Sequence, residues 1–129
     1  MSGSPRRSGL RRIPSSPRID LSDETFIRAA PDRVAGALAD PRNHQMWWPH
    51  LELILDRDRG TQGQRWVVTG ALRGAMEVWV ESFADGAIVH HYVRAVAAPD
   101  APRDVAVRHT RRWKLAVHRL KDRLEEQSL

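Results

Sequence analysis

Cysteine is absent from the 129 residues. That excludes disulfide scaffolds, thiol nucleophiles and thiolate zinc sites. No apolar run approaches the roughly 18 residues a membrane-spanning helix needs. There is no HExxH pair, no nucleophile elbow and no glycine-rich phosphate loop. Tyrosine occurs once, at Tyr92, and lysine only at Lys114 and Lys121 among 21 basic residues. These gaps remove most catalytic signatures. Tryptophan is abundant by contrast: Trp47, Trp48, Trp66, Trp79 and Trp113 make five.

The formal charge of +5 is unevenly placed. Arg6, Arg7, Arg11, Arg12 and Arg18 lie in a stretch without acids, and the other 16 basic residues balance the 16 acidic ones. Positions 1–19, rich in Pro, Ser and Arg, read as a disordered tail, because such a segment buries too little apolar surface to offset ordering. It is a candidate for weak anionic contact, with no means of reading a nucleic-acid sequence. No apolar stretch of signal-peptide length follows the arginines, so a cytoplasmic location is expected. Residues 20–129 read as one domain, a size that allows a real core.

Leu21–Ala29 reads as a strand through its Thr-Phe-Ile centre. Pro31 and Asp32 then mark a helix start, with Val34, Ala37 and Leu38 as its apolar stripe. Asp40-Pro41 ends that helix. A second short helix over 42–48 stops at Pro49. Strands follow at Leu51–Asp58 and Arg65–Thr69, and Gly70–Gly74 reads as a hairpin connection. Ala75–Phe83 alternates clearly, with Met76, Val78 and Val80 on one face. Asp85-Gly86 is a strong hairpin signal, and Ala87–Val96 reads as its partner. Ile88, His90 and Tyr92 share one face of that strand; Val89, His91 and Val93 share the other. A Pro-containing linker over Ala97–Arg103 leads into a helix from about Asp104 to Glu126. Its stripe is Trp113, Ala116, Val117, Leu120 and Leu124.

The order of these pieces is similar to the START-like, helix-grip superfamily, also called SRPBCC or polyketide cyclase/dehydrase. The resemblance is carried by Ala29-Ala-Pro-Asp-Arg-Val34, Leu38-Ala-Asp-Pro41, the Trp47-Trp48-Pro49 turn, Trp66-Val-Val-Thr-Gly70, Met76-Glu-Val-Trp79 and the closing helix around Arg111–Leu124. It spans about residues 20–127. It implies an α+β fold: a curved antiparallel sheet packed around a long C-terminal helix, with two short helices after the first strand and an apolar cavity between sheet and helix. Members bind lipids, sterols, polyketides and aromatic products, and only some are enzymes. The usual pattern has about two more strands before the last helix. Their omission implies a cavity that is smaller, open on one side or closed by a second subunit.

Six histidines invite a metal reading, yet His90 and His91 are adjacent in a strand and so point to opposite faces. No metal or cofactor is expected. Glu77 and Glu81 share a strand face as surface charge. Trp113 is either core or cavity floor. Trp47 lies near the cavity mouth, and Trp66 and Met76 belong to strands that line it. Tyr92 is the polar handle for a ligand hydroxyl or carbonyl, with His90 beside it. Arg65 and Arg94 are either solvated strand ends or partners for an acidic ligand.

The candidate ligand-binding set is therefore Trp47, Trp66, Met76, His90, Tyr92 and Trp113. The reading is non-covalent binding, or transport, of a small hydrophobic or amphipathic molecule. Two alternatives stand beside it. One is a cyclase or dehydrase using His90 and Tyr92 as acid–base groups. The other is a pocketless module that dimerises.

Overall fold

The structure is a computed structural model describing residues 17–127. Of the expected tail over 1–19, residues 1–16 lie outside the described residues, whereas Arg18 and Ile19 belong to the first strand. Strand β1 spans Arg18–Ile27 and is followed by helices α1 (Pro31–Ala39) and α2 (Pro41–Trp47). Then come β2 (Leu51–Asp58), a 3₁₀ turn at Gly60–Gln62, β3 (Gly63–Gly70), β4 (Leu72–Phe83) and β5 (Gly86–Ala97). Helix α3, Val105–Gln127, closes the chain. All five strands form one antiparallel sheet in the order β1-β5-β4-β3-β2. This is the helix-grip topology implied by the sequence, including the two short helices after β1. No helix among the described residues is long and apolar enough to cross a membrane.

Local chemistry explains the two short helices. Each begins with proline at its first position, where a missing N–H costs nothing. Asp40 ends α1 and caps α2, its carboxylate accepting the Arg42 backbone N–H at 2.9 Å. The buried Asn43 side chain donates to the Ala37 carbonyl at 2.8 Å, satisfying an otherwise free helix-end acceptor. Val34, Ala35 and Leu38 face the sheet and are buried. Full burial of a side chain such as Leu38 contributes about 1.5–3 kcal/mol.

Period-two alternation sets the two faces of the sheet. Leu21, Val93, Met76 and Trp66 form one cross-strand row on the inner face, which continues to the exposed Leu55 on edge strand β2. Ser22, Tyr92, Glu77 and Arg65 form the neighbouring row on the outer face. Helix α3 presses Val105, His109, Trp113, Ala116, Val117, Leu120 and Leu124 into the inner face.

Two turns differ from expectation. The β3–β4 link is Ala71 alone, and β4 already begins at Leu72, which pairs with Ala97 and is fully buried. The β4–β5 turn is Ala84-Asp85, with Ala84 left-handed at φ 50°. Gly86 instead sits inside β5 for a steric reason: a Cβ there would lie 2.2 Å from the Ile27 carbonyl oxygen. Gly63 is likewise fixed, with φ +117° and room for no Cβ against the Val78 carbonyl.

Candidate functional site

The space between sheet and helix holds a cluster of tryptophan and histidine rings. Trp48 follows α2 and is turned inward by the Pro49 stop. Its ring stacks near Trp113 (centroids 5.9 Å apart) and near His91 (5.7 Å). Trp66 meets Trp48 at 5.6 Å, and Trp47 meets Trp113 edge-on at 6.2 Å. Such edge and offset contacts are the favoured geometries for aromatic pairs.

Three imidazoles thread through this cluster in a hydrogen-bonded chain. His91 Nδ1 lies 3.2 Å from the Glu77 carbonyl oxygen, which can only accept, so Nδ1 carries the proton. Burial lowers the His91 pKa to about 4, so the ring is neutral and Nε2 is a lone pair. His109 Nε2–H therefore donates to it at 3.0 Å. Burial, then repulsion from the neighbouring imidazoles, lowers His109 to about 3. Its Nδ1 accepts from His50 Nε2–H at 3.1 Å. His50 is lowered too, by burial first and then by the charge of Arg112. Its buried Nδ1, at the far end of the chain, has no hydrogen-bond partner among the described residues. One backbone carbonyl thus fixes the donor direction of all three rings.

Asp23 sits beside the inner end. Its carboxylate accepts Trp113 Nε1–H at 2.9 Å and the Thr25 hydroxyl at 3.2 Å, and it pairs with Lys114. Burial pushes its pKa up, but the hydrogen bonds from Lys114 and Trp113 outweigh this and hold it below the usual carboxylate range.

A cavity of about 310 Å3 opens between β1 and α3, walled by Leu21, Asp23, His91, His109 and Trp113. It reaches solvent at Ser22 and Thr110, both exposed. Among the described residues no three His, Asp or Glu side chains converge as a metal site.

The expected binding residues divide between the two faces of the sheet. Trp47, Trp66, Met76 and Trp113 are buried on the inner side, and of these only Trp113 lines the β1–α3 cavity. His90 and Tyr92 face the other way. His90 is covered by Trp79 (ring centroids 4.5 Å) and bonded to Glu81 at 2.9 Å and Glu24 at 3.1 Å. Tyr92 Oη lies 3.4 Å from His90 Nδ1 and borders an outer trough of about 530 Å3, shared with Arg65 and Arg94. Sequence reasoning passed over His91 and His109. The signal was present: His91 alternates with Val89 and Val93, and His109 is one helical turn before Trp113 on the same stripe.

No protein-family model matches the sequence, and no curated protein matches it. Solved structures match it in shape, and they define its class as a helix-grip-like fold. The Aha1 dimer from Colwellia psychrerythraea aligns with a TM-score of 0.62 at 15% identity, over 83% of this chain and 96% of that one. CalU16 from Micromonospora echinospora aligns at 0.56 and 13%, over 91% and 87%. A START superfamily protein from Mycobacterium smegmatis aligns at 0.53 and 10%, over 84% and 98%. At these identities the likeness is one of fold.

Proposed function

We propose that the protein binds a small amphipathic molecule non-covalently in the β1–α3 cavity. The observation that carries this reading is the cavity's mixed wall: the apolar faces of Leu21 and Trp113 stand beside His91, His109 and Asp23. Apolar contact supplies the affinity, and the polar wall orients one end of the ligand. Burying about 300 Å2 of apolar ligand surface at ~25 cal/mol per Å2 gives roughly 7 kcal/mol before association costs. Micromolar or weaker binding follows, in keeping with a carrier. An acid–base reaction at His90 and Tyr92 would instead take place in the outer trough, away from Trp113.

Native mass spectrometry of the protein purified from its own host tests the reading. A stoichiometric small-molecule adduct, lost in Thr110→Trp, is the expected result. That substitution places bulk at the exposed mouth without entering the core. A protein free of adducts, or an adduct indifferent to Thr110→Trp, would refute it.

A dimeric interaction module is the second reading. It is supported by the ring-filled interior and by edge strand β2, which exposes Ile54 (62%) and Leu55 (51%). The Aha1 structure from Colwellia, of like fold, is a dimer. The same spectrum reports the subunit count.

A further inference from the structure

On the opposite side of α3 from the β1–α3 cavity, a groove of about 250 Å3 runs between α2 and α3. Its floor is recessed and apolar, formed by the buried Trp47 and Leu120. Met46 and Leu115 stand at its sides, 64% and 54% exposed, although both are large and apolar. Arg112, Arg119 and Arg123 line the α3 rim. Seven residues and then four separate them, so all three follow one side of the helix over about 16 Å. All three are exposed, and none has a carboxylate within ion-pair distance among the described residues. Elsewhere on the surface such partners are present: Arg28 pairs with Asp85, Arg65 with Asp56 and Arg108 with Asp104.

We propose that this groove is a second ligand site, separate from the β1–α3 cavity, for a single-chain amphiphile with a phosphate head. The chain lies along Trp47 and Leu120 between Met46 and Leu115. The phosphate takes guanidinium forks from the α3 rim. Charge complementarity selects the head: guanidinium donors match phosphate oxygens in pairs, and a dianion relieves the mutual repulsion of Arg119 and Arg123 one turn apart. The recessed floor selects a free chain over a flat bilayer, which cannot reach Trp47 or Leu120.

Methionine methyl NMR tests this directly. The chain has three methionines. Met46 borders the groove, Met76 lies buried on the inner sheet face, and Met1 is at the N-terminus. Decyl phosphate is expected to shift the Met46 methyl saturably and leave Met76 in place. Octyl phosphate should bind more weakly, by up to about fourfold per methylene removed. Decanol should bind at least tenfold more weakly than decyl phosphate, as should decyl phosphate to Arg119→Gln/Arg123→Gln. Four results would overturn the proposal: equal binding of decanol, an unchanged affinity in the double variant, a response at Met76 without Met46, or a response to phosphatidylglycerol vesicles without one to free decyl phosphate.

Discussion

Lowering the pH from 7.5 to 5.0 should destabilise the fold through the imidazole chain. His91 and His109 are neutral when folded, with pKa values of about 4 and about 3. In the unfolded chain each returns to about 6.5. Between those values the unfolded state binds more protons, so stability rises with pH. The contribution is complete above about pH 6.5 and is lost progressively as the pH falls towards the folded values. At pH 5.0 the loss is about 2 kcal/mol for each ring, or about 4 kcal/mol for the pair. With a urea m-value near 1.5 kcal/mol per M, the unfolding midpoint should fall by roughly 2–3 M. The depressed carboxylates, Asp23 among them, titrate below their ordinary value of 3.8 and add little in this window. His44 and His50, also lowered chiefly by burial, act in the same direction. Tryptophan fluorescence provides the readout. His91→Phe/His109→Phe replaces both partners of the central bond by apolar rings and should lose most of the pH dependence. A wild-type midpoint that is flat between the two pH values, or an equal fall in the double variant, would refute the neutral chain.

Two further substitution pairs test the packing. Asp23→Ala leaves the buried Trp113 indole N–H without its acceptor and should cost about 1–3 kcal/mol in urea unfolding. Lys114→Ala removes the partly exposed side of the same pair and should cost under about 1 kcal/mol, so equal losses would contradict the assigned roles. Gly63→Ala forces a Cβ to within 2.1 Å of the Val78 carbonyl oxygen at φ +117°, and a loss above about 2 kcal/mol is expected. Gly36→Ala meets nothing within 4 Å in α1 and should raise the thermal midpoint, worth about 0.5–1 kcal/mol.

The fold was legible where burial imposes a period. Met76, Val78 and Val80 mark the inner face of β4, and the stripe on α3 is continuous from Trp113 to Leu124. Pro31 marks the start of α1, and the span 42–48 read for the second helix lies within a residue of the observed Pro41–Trp47. Strand ends were harder to see. In β1 the inward position between Leu21 and Thr25 is Asp23, a charge that breaks the alternation. It is tolerated because Trp113 and Lys114, some 90 residues away, hydrogen-bond to it. No local window contains that partnership. The imidazole chain was half legible: alternation places His91 inward and helical spacing places His109 inward. That His50 joins them depends on how the Trp-Pro turn meets α3, which is a tertiary matter. His90 and Tyr92 do lie together, but beside Trp79 rather than Trp113, because adjacent strand residues face opposite ways.

The strand order has a consequence for how the cavity comes into being. Among themselves, strands β2 to β5 pair only with neighbours in sequence, so this meander closes short loops as it forms. β1 must instead find β5, and then α3 across most of the chain. Arg28 N–H donates to Glu125 over a separation of 97 residues, Lys121 to the Phe26 carbonyl over 95, and Trp113 to Asp23 over 90. Closing such loops is entropically costly before its contacts form. The cavity wall is therefore expected to assemble last, with amide protection of β1 lagging that of β3–β5 in pulse-labelled refolding. If the last seam to form is also the first to open, then under the proposed binding function the junction of first strand and last helix is expected to act as a door for ligand exchange as well as a wall.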